Sequence, residues 1–235
     1  MFKLISILSK NSKIAHIHPT EKILLSVMPI ILMGFSNSIY LLIFNILVFS
    51  ILHVVCGNPI KIVWKFTLAA AAFASVSSIT LIFDYGWYYC IVLVIRTLSS
   101  GVCLAYLALS TPMDDILYLV SKNTYLRDIS DIAKGMERFI MLIEDEYVTL
   151  YNAIKSRNGF CSFSLKIRNT GKMAGLLFVN TMKRWQDIKD AINTRCYRGN
   201  MSYLQKEFNF SWLRMVLILF YNGCLLYFIF KRNSI

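Results

Sequence analysis

Between Lys22 and Lys61 the chain contains no lysine, arginine, aspartate or glutamate. A stretch of that length offers no hydrated face, and it is too long for one bilayer crossing of about 20 residues, so it suits two. Acidic residues are few throughout: 13 Asp and Glu against 25 Lys and Arg in 235 residues, and charged residues total only 16%. A soluble domain carries nearer a quarter, so the soluble classes are excluded first. No GxxxxGK[ST] phosphate loop occurs, so ATP hydrolysis is not expected of this chain. The six cysteines, at 56, 90, 103, 161, 196 and 224, form no Cys-x-x-Cys pair and no zinc spacing, and they read as reduced, structural residues. His16 and His18, two residues apart without further ligands, do not complete a metal site. No small-residue cleavage site follows the apolar stretch at 1–10, so a signal peptide is not expected.

What is present is apolar sequence in long runs: 57% of residues are hydrophobic and the mean hydropathy is +0.55. This composition predicts an all-α, polytopic membrane protein. The turn cluster Gly34-Phe35-Ser36-Asn37-Ser38 divides the uncharged interval into spans at about 22–35 and 38–56, the first being short unless it starts near Pro19. Gly57-Asn58-Pro59 ends the second. A third span covers about 64–83, with Ala69 to Ala72 and Ser75, Ser77 and Ser78 as a small-residue packing surface. The aromatic turn Asp84-Tyr85-Gly86-Trp87 leads to a fourth span at about 87–110, and a fifth is expected at about 212–230. The expected organisation is a four-span membrane domain, 1–110, a coupling-helix segment, 111–211, and a C-terminal span, 212–235.

The net charge of +12 would suggest nucleic acid in a soluble protein. Here fifteen of the 25 basic residues lie between spans four and five, so anionic lipid or an acidic protein is the expected partner and nucleic acid is not. The segment before span one and the loop between spans two and three are also basic, whereas the turns at 34–38 and 84–87 carry no Lys or Arg. The N-terminus and the 111–211 segment are therefore expected on the cytoplasmic side of a multi-pass protein.

That segment reads as helical. Thr111-Pro112 before Asp114 and Asp115 is a helix start, with Thr as cap and Pro in the first turn. A longer helix is expected from about Asp131, its apolar face running through Ile132, Met136, Phe139, Ile140, Ile143, Tyr147, Leu150, Tyr151 and Ile154. It should stop at Ser156-Arg157-Asn158-Gly159. A second long helix is expected from about Thr170 to Arg195, with Met173, Leu177, Trp185, Ile188 and Ile192 on one face. Each ends on Ala-x-x-x-Arg, Ala153 to Arg157 and Ala191 to Arg195, with the two arginines 38 residues apart. The repeat implies two similar tips for two similar docking sites.

In this respect the chain resembles the T component of energy-coupling-factor transporters, the CbiQ/EcfT-type family, which carries two Ala-Arg-Gly-like motifs at the ends of long cytoplasmic helices. Arg138-Phe139-Ile140 with Asp145-Glu146 is similar to the family's stretch before the first motif, and Leu177-Phe178-Val179-Asn180 to that before the second. Ser110-Thr111-Pro112 resembles its Thr-Thr-Pro after the fourth span, and His18-Pro19-x-x-Lys22 its Asp-Pro-x-x-Lys before the first. The motifs depart from the family at Ser156-Arg157-Asn158 and Thr194-Arg195-Cys196; Asn tolerates a left-handed backbone better than Cys does.

The resemblance implies a coupling subunit of an ATP-driven vitamin or metal-ion importer in a bacterial or archaeal cell membrane. It implies two ATPase partners docking at Arg157 and Arg195 with Ala153, Ser156, Asn158, Ala191, Thr194 and Cys196. It also implies a substrate-binding membrane subunit resting on Phe139, Ile143, Tyr147, Leu177 and Trp185. No cofactor is implied for this chain, since ATP and magnesium would be bound by the partner ATPases. Arg157 and Arg195 would offer planar forks to carboxylates, with Lys155 and Arg198 as secondary neighbours. Arg96, inside span four, is expected either to snorkel or to make a contact within the bundle. The rival reading is a lipid- or prenyl-modifying membrane enzyme using Asp128 and Asp131, which would need further carboxylates beside a membrane cavity.

The charge asymmetry makes a topological prediction. In intact cells a membrane-impermeant thiol reagent should leave Cys161 and Cys196 unlabelled and should reach both after lysis. Ready labelling of Cys161 in intact cells would reverse the orientation.

Overall fold

The long apolar runs are cut where the sequence supplies turn chemistry. A computed structural model describes residues 2–196, 208 and 210–233, and these contain helices and no strand. In chain order they are α1 (Phe2–Lys10), α2 (Pro19–Gly34), α3 (Ile39–Cys56), α4 (Ile60–Ser110), α5 (Met113–Ser121), a 3-10 turn (Thr124–Leu126), α6 (Arg127–Ser156), α7 (Phe163–Thr194) and α8 (Trp212–Asn233). Among the described residues, α3, α4 and α8 are long and apolar enough to cross a membrane. α2, expected as a span, has 16 residues, a rise of about 24 Å against a hydrocarbon core of about 30 Å. It does start at Pro19, because the His18 ring accepts from the Thr20 N–H at 3.3 Å. That is the N-cap role in which aspartate is usual.

α4 spans 51 residues but is two limbs. Gly86 sits at φ 77°, ψ 173°, a backbone that glycine adopts without a Cβ clash. The Cys90 Sγ lies 3.3 Å from the Ser78 carbonyl, whereas twelve residues of straight helix would separate them by about 18 Å. The chain therefore folds back at the expected aromatic turn, and the limbs pack antiparallel. They approach closely: a Cβ on Gly101 would lie 3.5 Å from the Thr67 Cα. The expected small-residue surface is only partly this seam. Thr67, Ala74 and Ser78 are buried, while Ala69, Ala72, Ser75 and Ser77 face outward, since a helical period puts only every third or fourth residue on one face.

The chain forms two compact units. One comprises residues 4–119 with 205–235, the other 1–3 with 120–204. The first is held by polar joints as much as by its apolar clusters. The buried Lys22 ammonium donates to the Ser110 carbonyl at 2.9 Å, tying α2 to the end of α4. Its neighbour Glu21, also buried, accepts from the Ser211 N–H at 3.1 Å and pairs with Arg214 at 3.3 Å, which fixes the start of α8. Arg96 donates to the Ser36 carbonyl and to Asn37 Oδ1, both at 2.8 Å, so it makes the bundle contact and closes the α2–α3 turn. His53 lies 3.2 Å from the Val102 carbonyl and 3.0 Å from Asn58 Nδ2. Since a carbonyl only accepts, Nε2 carries the proton and Nδ1 accepts. α1 adds Ile5 and Leu8 to the cluster of Val63, Ala105 and Leu109. The six cysteines are free.

Asn45 joins three helices. Its Nδ2 donates to Ser99 Oγ at 2.8 Å and its Oδ1 accepts from Tyr221 Oη at 2.6 Å, linking α3, α4 and α8. Polar contacts between membrane helices typically contribute about 0.6–2 kcal/mol each. Asn45→Ala leaves two partners unsatisfied and is expected to destabilise the detergent-solubilised protein by about 1–3 kcal/mol, with Tyr221→Phe costing less. Thermal unfolding followed by size-exclusion elution measures both. An unchanged midpoint for Asn45→Ala would remove this joint from the account.

Candidate functional site

The two long amphipathic helices form one hairpin. α6 starts at Arg127, earlier than expected, because Asn123 Oδ1 accepts from the Tyr125 N–H and the 3-10 turn leads straight into the helix. α7 starts at Phe163, not near Thr170: the Ser162 carbonyl accepts from the Lys166 N–H at 2.8 Å, and the helix runs through Gly171 and Gly175. At the end of α4, the Pro112 carbonyl takes the first bonds of α5, from Asp115 and Ile116, so the cap falls on Pro112, one residue after the expected Thr111.

Asn180 Nδ2 donates to Glu146 Oε1 at 3.1 Å and Arg184 Nε lies 3.5 Å from Glu146 Oε2. Asn169 Nδ2 donates to the Gly159 carbonyl at 2.7 Å. The two pairs, 146 with 180 and 159 with 169, fix α6 and α7 as antiparallel. Glu146 is thus the polar staple of the hairpin, a role that the motif likeness did not assign to it. Lys3 was missed as well. Its backbone N–H donates to Glu144 and its ammonium to the Asp145 carboxylate at 2.7 Å, attaching the first residues of the chain to α6.

The two tips share one backbone geometry. α6 caps at Arg157 with φ −93°, ψ 17°, and α7 caps at Arg195 with φ −86°, ψ 15°. The next residue is left-handed in both, Asn158 at φ 55° and Cys196 at φ 53°. In both, that residue's N–H returns to a carbonyl three positions back, Lys155 at 3.1 Å and Asn193 at 3.0 Å. One turn earlier Ser156 Oγ donates to the Ala153 carbonyl, and Thr194 Oγ1 to the Ala191 carbonyl, each at 3.0 Å. At the first tip the Gly159 N–H also reaches the Ile154 carbonyl at 3.0 Å, completing a Schellman cap. Gly159 has no room for a side chain: a Cβ would fall 2.5 Å from Ile154 Cγ2. Cys196 holds the left-handed position despite its Cβ, which costs roughly 1–2 kcal/mol. Arg157 and Arg195 are both exposed. Because the helices are antiparallel, the arginines stand at opposite ends of α7, whose 32 residues set them on the order of 50 Å apart. Lys155 is exposed beside the first tip; Arg198 lies outside the described residues.

The expected membrane-partner contacts divide. Tyr147 and Trp185 are exposed, while Phe139, Ile143 and Leu177 are half-buried. The open stripe on α6 runs instead through Ile129, Ile132, Met136, Ile140 and Tyr147, all at least 43% exposed. On α7 the exposed apolar residues beside Trp185 include Phe178 and Met182. The sequence period found the amphipathic face but not which edge of it lies open. Of the rival's two carboxylates, Asp128 is exposed and Asp131 buried, and among the described residues no group of three or more His, Cys, Asp or Glu is placed to hold a metal ion.

Comparison with known proteins assigns a family. The profile of the family described as CbiQ, cobalt transport protein, matches residues 10–207. A fused chain named as cobalt transport protein CbiMQ, from Methanocorpusculum labreanum, is 25% identical over 112 residues, 48% of this chain and 19% of its own. The uncharacterized protein MJ1089 of Methanocaldococcus jannaschii is 21% identical over 216 residues, 83% of this chain and 81% of its own. The cobalt transport protein CbiQ of Salmonella typhimurium is 25% identical over 105 residues, 45% of this chain and 47% of its own. The chain therefore spans a fifth to a half of the two relatives named for cobalt transport. With the family profile covering most of its length, the chain belongs to the CbiQ cobalt transport protein family and is a membrane transport component.

Proposed function

We propose that the chain is the transmembrane coupling subunit of an energy-coupling-factor importer, a transporter part and not an enzyme. The observation that supports this most is the duplicated arginine cap: two tips of one geometry, at opposite ends of one hairpin, suit two ATPase subunits. Each guanidinium would lie in a carboxylate-lined groove of one ATPase as a bidentate pair. ATP and its magnesium belong to those partners. Closure of the ATPase pair would draw the tips together, and α6 and α7 would carry that motion as levers. Their open apolar stripe would hold a separate substrate-binding membrane subunit, which supplies specificity. The names of the relatives favour a metal ion such as cobalt as cargo over a vitamin. In this reading the protein crosses a bacterial or archaeal cell membrane several times, with its N-terminus and hairpin cytoplasmic.

Two experiments test the reading. Each shielded arginine–carboxylate contact contributes about 1.5–3 kcal/mol, so Arg157→Glu or Arg195→Glu alone should weaken ATPase association by about tenfold or more. The remaining tip keeps the complex tethered through high effective concentration. The double variant should lose both association and metal uptake while still inserting into the membrane. Lysine at either site should rescue in part, because it lacks the planar fork. Normal assembly and uptake by the double variant would end the coupling assignment. The second experiment concerns the stripe, since exposed apolar area marks an interaction surface. Ile132→Ser with Met136→Ser should release the membrane partner while the ATPases still co-purify. Equal loss of both partners would indicate misfolding and remove the stripe from the partner interface.

A further inference from the structure

We infer that α3 and the two limbs of α4 form a binding site for one acyl chain of an anionic phospholipid, whose headgroup is held by Lys61, Lys65 and Lys13. A groove of about 250 Å³ opens between Ile46 and Val54 of α3, Ile60 and Trp64 of the first limb, and Leu98 and Val102 of the second. It starts at the α3–α4 turn and runs into the spans. Two polar side chains on its wall are already engaged: Thr67 Oγ1 donates to the Val63 carbonyl at 3.0 Å, and His53 lies between Val102 and Asn58. Apart from Ser50, the rest of the wall is apolar. The volume is below that of an ordinary small-molecule pocket, about 300–1,000 Å³, and a helix about 10 Å across does not fit. A flexible hydrocarbon chain does, and these helices stand in a source of it.

Charge at the mouth selects the lipid. Lys61 and Lys65 are exposed one helical turn apart, and Lys61 is also one turn from Trp64 on the groove's edge, so both flank the outer side of that edge. Lys13 covers the turn, since a Cβ on Gly57 would meet its Cε at 3.7 Å and its Nζ at 4.0 Å. The chain carries no Asp or Glu between Glu21 and Asp84. Outside that stretch, Glu21 is paired with Arg214 and Asp114 with Lys10. Three ammonium groups therefore stand at the turn end of the groove, Lys13 at the α3–α4 turn and Lys61 and Lys65 on the first limb beyond Trp64, with no carboxylate from α3 or the first limb. That is a phosphodiester headgroup's environment, with the acyl chain lying in the groove below.

The test uses the purified full chain in lipid nanodiscs. These contain equal fractions of acyl-diazirine phosphatidylglycerol or acyl-diazirine phosphatidylcholine, and adducts are mapped by mass spectrometry. Phosphatidylglycerol adducts should concentrate on the groove residues, while phosphatidylcholine adducts should spread around the lipid-facing helices. Lys61→Gln and Lys65→Gln, both at exposed positions, should each lower groove labelling by phosphatidylglycerol about fivefold. Ser50→Trp, placed inside the groove, should remove groove adducts and leave those elsewhere. Equal labelling by the two lipids would overturn the site, as would indifference to the lysine changes. Loss of groove labelling when partner subunits are added would assign the groove to a protein interface instead.

Discussion

An ammonium group cannot be buried without partners, and the way Lys22 meets that requirement organises the membrane unit. Lipid tails are as apolar as leucine, so burying apolar surface between spans selects no particular neighbour or register. Buried polar groups do select, because an unmet one is costly. Lys22 reaches the last carbonyl of α4, where the helix dipole already favours a cation. The adjacent Glu21 faces the other way and takes the first turn of α8. Two neighbouring residues on one short helix thereby fix the ends of two others. Asn45 repeats the device in the middle of the bundle and Arg96 at its far turn.

The motif fragments scattered along the sequence turn out to be the two halves of such joints. His18-Pro19-x-x-Lys22 and Ser110-Thr111-Pro112 are 88 residues apart at the atoms that bond, Lys22 to Ser110. Asp145-Glu146 and Leu177-Phe178-Val179-Asn180 meet through Glu146 and Asn180. This explains why each fragment is weak as a signal and the ordered set is strong: a fragment states only half of a contact.

How much was legible follows from what each signal depends on. The apolar helices α3, α4 and α8 and the Gly86 break come from composition and turn chemistry, which are local, and these were readable; α2, expected as a span, is shorter than the membrane-crossing helices. The starts of α6 and α7 were not. α6 begins at Arg127, ahead of the expected Asp131, and α7 at Phe163, ahead of the expected Thr170, because tertiary packing extends a helix beyond what local propensity marks. The periodicity of α6 located its apolar face, yet Phe139 and Ile143 proved half-buried, and the open edge lies at Ile132, Met136 and Ile140. Which edge of an amphipathic face is covered depends on where α7 lies, and the α6 sequence does not encode that. Lys3 shows the same limit: its charge was visible, its carboxylate partners 141 and 142 residues away were not.

The tips show what is kept when a motif drifts. Neither site retains an Ala-Arg-Gly sequence, yet the arginine sits at the cap in both and the following residue is left-handed in both. Asparagine meets that backbone at modest cost and cysteine at more. At the first tip the glycine has moved one position on, where a Cβ would strike Ile154. The two different third residues thus adopt the same left-handed backbone after the arginine. A helix that simply frayed would leave its guanidinium free to sample the whole end of the helix. A left-handed cap returns the chain onto the last turn and holds the arginine's own backbone in one conformation, which in the proposed coupling role would lower the entropy lost on docking. In the proposed role a hairpin that transmits force would need ends held in one conformation where a partner grips them, and the duplicated cap is the feature of this chain that would serve it.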